Sequence, residues 1–445
     1  MKIAWFTPFW EHSAIGTFSR HVTRRLTKVH DVELWVPEAA GCQVTDLPVV
    51  EFDPSHVGPE LPSGIDVAVY NLGNNAGYHE AILRVARRMP GVVILHDTVL
   101  HHLFLDESRS DQGDLSRYRS ALDRWYGPDV GAQALQFIAP DRKHGYPPLD
   151  FCARYPLLEE ATLGALGVVV HARAQQDRLT PHWLGPMARL SLPTYDAEHV
   201  VGPPRQAARA SATLRVVSVG WVGQAKQTHV ALQALATRPD LAKRILYRIA
   251  GPVDLDSEYG KELRGIIETG RLESCVELLG YVEDEHLEEL LEWADVFINL
   301  RWPSTEGGSA ALTEQLIRGR PVIVTRTGVF DELPDTAVIK VAPNDSLAVA
   351  DALERLANSE SERQEVGRAG WQVGHSFTVE AYTRGIVGLI ESAPDWELPL
   401  TTLDRIGDFL ADLHADPALS VFRTVGAELS QIFGPDFLQG RSPAE

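Results

Sequence analysis

The chain has 445 residues, 44% of them hydrophobic and 23% charged, with a formal charge of −20. That length exceeds one ordinary hydrophobic core, so two domains plus an appendage are expected. The acidity, concentrated in the C-terminal half, argues against nucleic acid as a partner, because phosphates reward clustered Lys and Arg.

The first residues, MKIAWFTPFWEH, start like a signal peptide, but Pro8 and Glu11 interrupt the apolar run too early. No stretch approaches the roughly 18 apolar residues that span a bilayer, so a soluble, cytoplasmic protein is expected. KIAWFTPF reads as a first strand, followed by a glycine-containing loop and the helix GTFSRHVTRRLTKV. VELWVP, IDVAVYNL and GVVILHD read as further strands, with the helix HEAILRVARR between the last two. Strands alternating with helices predict a parallel sheet covered on both faces. From about 104 to 160 the pattern turns helical and reads as an inserted lobe, before LGVVVHA restores a strand. VGPPRQAARASA, residues 201–212, has the paired prolines and small residues of a linker. A second series follows: LRVVSVG, ILYRIAG, VELLGYV, VFINL, RPVIVT and AVIKV. After Phe377 come the helix VEAYTRGIVGLIESA and a tail with two amphipathic segments, LDRIGDFLADL and VGAELSQIFG. The tail is expected to pack on the body or to form a homodimer interface. Cys42, Cys152 and Cys275 are scattered without metal-type spacing and read as reduced thiols.

In open parallel sheets ligands bind beyond the carboxyl ends of the strands, so residues directly after strands carry the chemistry. After LRVVSV comes Gly220-Trp221-Val222-Gly223-Gln224-Ala225-Lys226, which lacks the glycine spacing of a dinucleotide fingerprint. Lysine is rare in this chain, and Lys226 can meet a phosphate as a point charge or stand as a solvated surface lysine. After VFINL, the loop RWPSTEGGS brings Glu306, Gly307 and Gly308 to the same sheet edge. A helix beginning near Ser309 aims its positive end at that spot, a ready anion site. Glu314 lies roughly 7–8 Å further along its axis. Two carboxylates flanking a phosphate site suit a nucleoside diphosphate sugar, with hydroxyls at both ends and charge in the middle. By themselves they are equally a solvated helix face. Asp254-Leu255-Asp256 has a metal-like pattern, but on its loop it reads as solvent-facing.

The second half resembles glycosyltransferase family 4, nucleotide-sugar-dependent retaining enzymes of the GT-B fold. Glu306 and Glu314 match the family's Glu-x7-Glu motif, and Gly319, Pro321, Gly328 and Glu332 stand in register after it. IAGP at Ile249 and GYV at Gly280, Tyr281 and Val282 also fit, as does Lys226. The resemblance implies two Rossmann-like domains facing across a cleft with a C-terminal helical extension: residues 1–200, acceptor-side, with the helical insertion; 213–376, donor-binding; and 377–445, a crossing-back helix and helical tail. It implies that Glu314 holds the nucleotide ribose, that Glu306 with Gly307, Gly308 and Ser309 holds the donor sugar, and that Lys226 stabilises the departing diphosphate. Gly220, Trp221, Tyr281 and Val282 complete the donor-side set. The family carries an arginine where this chain has Trp221; Arg301 and Arg326, at strand ends, are candidate substitutes, and Arg173, directly after LGVVVHA, is a further candidate phosphate partner.

The likeness is thinner in the first half. Phe6-Thr7-Pro8 ends the first strand, Gly16 stands where the family offers an amide to the donor phosphate, and ILHD places His96 at the donor sugar. Without the family, His96 reads equally as a satisfied histidine at a strand end, and His101 and His102 read as helix residues. The implied function is retaining sugar transfer by a front-face route, with no cofactor and no metal beyond the sugar nucleotide, UDP or GDP type open. A small-molecule acceptor is expected. The alternatives are polysaccharide or glycolipid assembly, an epimerase or phosphorylase on the same fold, and an inactive sugar-nucleotide-binding protein. Two modest basic patches, Arg24/Arg25/Lys28 and Arg84/Arg87/Arg88, leave room for peripheral membrane association at most.

Overall fold

The structure, a computed structural model, describes residues 1–110, 113–138, 145–195 and 213–412. Short β-branched runs alternating with amphipathic helices give two parallel sheets. The first uses β1 (Lys2–Phe6), β2 (Asp31–Val36), β3 (Val49–Glu51), β4 (Val67–Leu72), β5 (Gly91–Leu95), β6 (Ala165–Val170) and β7 (Met187–Arg189), ordered β3-β2-β1-β4-β5-β6-β7. β4, β5 and β6 are buried along their whole length, as central strands covered on both faces should be. The second sheet uses β8 (Leu214–Val219), β9 (Ile245–Ala250), β10 (Val276–Gly280), β11 (Val296–Asn299), β12 (Val322–Thr325) and β13 (Ile339–Val341), ordered β10-β9-β8-β11-β12-β13.

Both sheets reverse strand order beside their first strand, at β1/β4 and at β8/β11. Such switch points open a crevice at the carboxyl ends, where ligands of doubly wound sheets bind. The two-sheet, Rossmann-like expectation holds, and so does a helical C-terminal region. The edge strands β3 and β7, three residues each, were not expected, because so short a run establishes no period.

Two compact units follow from the contacts. Among the described residues, one comprises Met1–Ser191, Thr305–Gly308 and the chain from Val379; the other comprises Leu192–Ser304 and Ser309–Thr378. In the first, helices His101–Ser110, Ser116–Tyr126, Val130–Gln136 and Leu149–Arg154 occupy the interval read as an inserted lobe. The helix Val379–Asp412 continues through Pro394 and Pro399, joining segments that the sequence reading had separated. Its inward face buries Tyr382, Ile386, Leu389 and Ile390. Close approach is possible because β6 presents Gly167, whose Cβ would lie 3.2 Å from Leu389. Arg25, from one of the basic patches, pairs with Glu380 of this helix. The linker 201–212 and the VGAELSQIFG segment lie outside the described residues. Among the described residues, no helix is long and apolar enough to cross a membrane.

Candidate functional site

In the second unit the switch point is built from the loops after β8 and β11. β8 is followed by Gly220, whose φ of +109° suits only glycine without strain. The chain then turns through Trp221 into a one-turn 3-10 helix, Gln224–Lys226. This turn folds Lys226 back, so that its ammonium lies 3.6 Å from where a Gly220 Cβ would stand. Neighbouring loops fix the position, with Gly220 N donating to Ala250 O at 2.9 Å and Val222 N to Pro252 O at 2.9 Å. Lys226 and Arg301 line one small cleft together with Gly220 and Thr228. Arg301, buried after β11, donates to Leu300 O at 2.7 Å and stacks over Phe330 with its guanidinium 5.8 Å from the ring centre. Of the arginines considered as substitutes at Trp221, it is the one that shares this cleft. Arg326 pairs with Asp331 at 3.2 Å on the surface, and Arg173 is exposed at the first turn of the helix Arg173–Leu179. Trp221 and Tyr281 present exposed rings after β8 and β10, at 71% and 58% accessibility.

Ser309 caps the helix Ala310–Ile317, its hydroxyl accepting from Leu312 N at 3.4 Å. The local reason is a short polar side chain just before an apolar-periodic run. Glu314 sits in the middle of that helix, one turn before Arg318, whose Nη2 is 4.0 Å away. Arg318 also holds Glu288 at 2.6 Å and Glu292 at 2.9 Å, so the Glu314 carboxylate shares its cation with two others. Burial, reinforced by the charge on Glu314, raises the pKa of Tyr195. Asp254 and Asp256 are exposed, and Asp254 Oδ1 accepts from the Asp256 amide at 3.0 Å. Among the described residues there is no His/Cys/Asp/Glu cluster suited to a metal.

The first unit holds the remaining candidates. Gly16 is the third residue of the helix Ala14–Leu26, and its amide already donates to Ser13 Oγ at 3.0 Å. The His96 ring is buried edge-on to Phe18, with ring centres 4.9 Å apart, and its Nε2 meets Asn71 Oδ1 at 3.0 Å. Burial, then the neighbouring His171 and His79, push its pKa well below the usual imidazole value, so it is neutral. These contacts are those of the satisfied strand-end histidine. Its backbone does further work, since His96 O accepts from Gly307 N at 2.9 Å. With Thr98 N donating to Thr305 O at 2.8 Å, residues 305–307 pair in antiparallel fashion beside Asp97. Gly307 is required there because a Cβ would lie 2.8 Å from both Gln175 Oε1 and His96 O.

Glu306 is thereby set against Asp97, which sequence reasoning missed. Burial, and to a lesser degree the Glu306 charge, raise Asp97 to about 7 against the Asn74 amide that donates to it at 2.7 Å. Also missed was Gln175, completely buried, which donates to Leu95 O at 3.1 Å and Asp97 O at 3.0 Å while accepting from the His171 and Ala172 amides. The available signal was a glutamine three residues into a helix after a buried strand, where side chains clamp strand ends. His101, at the start of its helix, bonds Tyr118 Oη of the helix Ser116–Tyr126 at 2.7 Å, and His102 packs at a tilt against Tyr146.

Residues 204–373 match the family model described as Glycosyl transferases group 1, so this segment carries a glycosyltransferase group 1 domain. Over 200 residues, 42% of this chain, the sequence is 28% identical to the colanic acid biosynthesis glycosyltransferase WcaL of Escherichia coli K12. Over 155 residues, 34% of the chain, it is 30% identical to the amylovoran biosynthesis glycosyltransferase AmsK of Erwinia amylovora. These matches cover 48% and 37% of the two relatives, less than half of either. Among solved structures, Anabaena HepE in complex with UDP and glucose shares 16% identity and a TM-score of 0.58, over 88% of this chain and all of that one. WaaG, a glycosyltransferase involved in lipopolysaccharide biosynthesis, shares 13% identity and a TM-score of 0.56, over 88% and 99%. At these identities the likeness speaks for the fold, which is of the GT-B kind.

Proposed function

We propose that the chain transfers a sugar from a nucleoside diphosphate sugar to an acceptor hydroxyl with retained anomeric configuration. The observation that carries this reading lies within the second unit: the Lys226 ammonium folded over Gly220 at the β8/β11 switch point, in a segment that matches a glycosyltransferase domain. The bond from the anomeric carbon to the diphosphate oxygen breaks, the acceptor oxygen attacks on the same face, and the acceptor proton passes to the departing diphosphate. Lys226, Arg301 and the helix tip at Ser309 stabilise the charge that develops on the leaving group. Glu314 accepts the ribose hydroxyls, and Trp221, Tyr281 and the Val282 backbone cover the base. Glu306, Gly307 and Gly308 serve the donor sugar; His96 positions that loop through its carbonyl. This route uses no divalent metal.

For the acceptor, the names of the relatives favour polysaccharide assembly over the small-molecule acceptor first expected. The test is incubation with UDP-, GDP- and dTDP-sugars while following free nucleoside diphosphate from slow hydrolysis. Release supports transfer; tight binding without turnover supports a binding protein of the same fold. Glu314→Ala should weaken nucleotide binding by about tenfold, the loss of a charged hydrogen bond. Unchanged affinity in that variant would remove the ribose assignment.

A further inference from the structure

At the opposite, amino-terminal edge of the first sheet lies a cleft of about 860 Å³. Arg87 and Arg88 precede β5, and Leu163 and Gly164 precede β6, so the cleft is separated from the His96 and Asp97 end by the length of β5, roughly 16 Å. Arginines dominate its wall in a chain whose net charge is −20. Arg117 and Arg124 lie seven residues apart on the helix Ser116–Tyr126, two turns or about 10 Å, so their guanidiniums line up on one face. Both side chains are more than half exposed.

Two carboxylates stand between these cations. Glu107, completely buried, pairs with Arg87 and reaches Arg117 at 3.7 Å. Glu160 accepts from Arg124 at 3.3 Å and from Trp125 Nε1 at 2.9 Å. A densely charged polyphosphate or nucleic acid would bring phosphates against these carboxylates. A linear glycan with one carboxylate every sugar or two avoids that conflict, offering widely spaced anions to the exposed arginine forks while the buried carboxylates keep their own partners. We propose that this cleft binds an acidic polysaccharide chain, remote from the carboxyl-end crevice. The inference does not depend on the donor reading, because binding is measured directly.

The test is titration of the full chain with an oligogalacturonate of six units, beside neutral maltohexaose and inorganic polyphosphate of equal length. Oligogalacturonate should bind, at least tenfold tighter than either control, with affinity falling as salt rises. Arg117→Ala with Arg124→Ala should weaken it by about tenfold or more, while sugar-nucleotide binding stays unchanged. The single variant Arg124→Gln, at an exposed position whose partner Glu160 keeps Trp125, serves if the pair disturbs folding. Absence of binding, equal binding of maltohexaose, or affinity unaltered in the variants would overturn the proposal. Polyphosphate binding as tightly as the uronate would assign the cleft to a phosphate polymer and overturn the glycan.

Discussion

The two sheets treat the carboxyl ends of their strands in opposite ways. In the first unit the ends of β4, β5 and β6 are filled: His96, His171, Asn71 and Gln175 are buried and bonded to one another or to backbone carbonyls. In the second, Trp221 and Tyr281 stand exposed and Lys226 lines a small cleft. A buried polar network is rigid and shifts the ionisation of its members, whereas exposed rings and a half-buried lysine at a rim can meet a charged ligand from solvent. The difference assigns structural fixation to the buried His96–Gln175 network and phosphate contact to the Lys226 rim, and perturbation of pH, packing and charge should separate the two.

The largest effect expected is acid sensitivity confined to the first unit. Burial lowers His79, His101 and His171 to about 4 and His96 well below its usual value. A histidine with a depressed folded pKa contributes stability that is present above about 6.5 and lost as pH falls toward 4. Asp97, raised to about 7, has the opposite sign, so acidification restores one proton's worth of stability. His102 is also lowered and Glu107 also raised by burial, so five histidines against two carboxyls leave a net uptake near three protons on unfolding, at most about 4 kcal/mol per pH unit. In the second unit the lowered histidine is the half-buried His229. Hydrogen exchange at pH 7 and pH 5 should therefore deprotect β5 and β6 amides far more than β11 and β12. Equal deprotection would abolish the contrast.

Next in size is Gln175→Leu. It leaves two carbonyls and two amides at the ends of β5 and β6 without their partner, a loss of about 3 kcal/mol, allowing for partial access of water. The denaturation midpoint should fall accordingly, while affinity of the second unit for nucleotide should not change. A stability loss below about 1 kcal/mol would mean that the clamp is redundant.

How much of this was legible in the sequence follows from the same contrast. The strands were readable because β-branched runs declare themselves locally, and so was the Ser309 cap, a short polar residue ahead of an apolar-periodic helix. The Lys226 loop stood out because lysine is rare in this chain. Asp97 was not legible, nor was the long-range half of the Gln175 clamp: those partners lie 23 and about 80 residues away, and only folding brings a carboxyl beside the Asn74 amide or a glutamine across to the end of β5. His96 was legible as a residue but not in its conduct, since the sequence does not show that Asn71 occupies its Nε2. The merging of two helical segments into Val379–Asp412 ran against the ordinary effect of proline, which breaks helix interiors unless packing holds them.

On the open rim the expected effects are on rate rather than stability. Lys226→Ala should lower turnover with a sugar nucleotide by about a hundredfold, comparable to removal of one donor to a developing oxyanion. Its melting temperature should hardly move, because the side chain lines a cleft instead of a core. A stability loss with unchanged turnover would make Lys226 a structural lysine and erase the distinction between the two edges.

The smallest effect sharpens that reading most. Trp221 occupies the position where the resembling family carries an arginine, and its ring is exposed, so replacement by arginine removes little packing. If Arg301, buried in the same cleft, already supplies the second cation, Trp221→Arg adds charge to a leaving group that is largely neutralised. Turnover should then rise by no more than about threefold, while nucleotide affinity falls slightly through loss of an aromatic surface against the base. A rise of a hundredfold would instead mean that the cleft lacks a second effective cation and that Arg301, held by Leu300 O and Phe330, serves the fold alone. Turnover as a function of salt distinguishes these outcomes, since a second exposed cation steepens the dependence whereas a buried one is little screened.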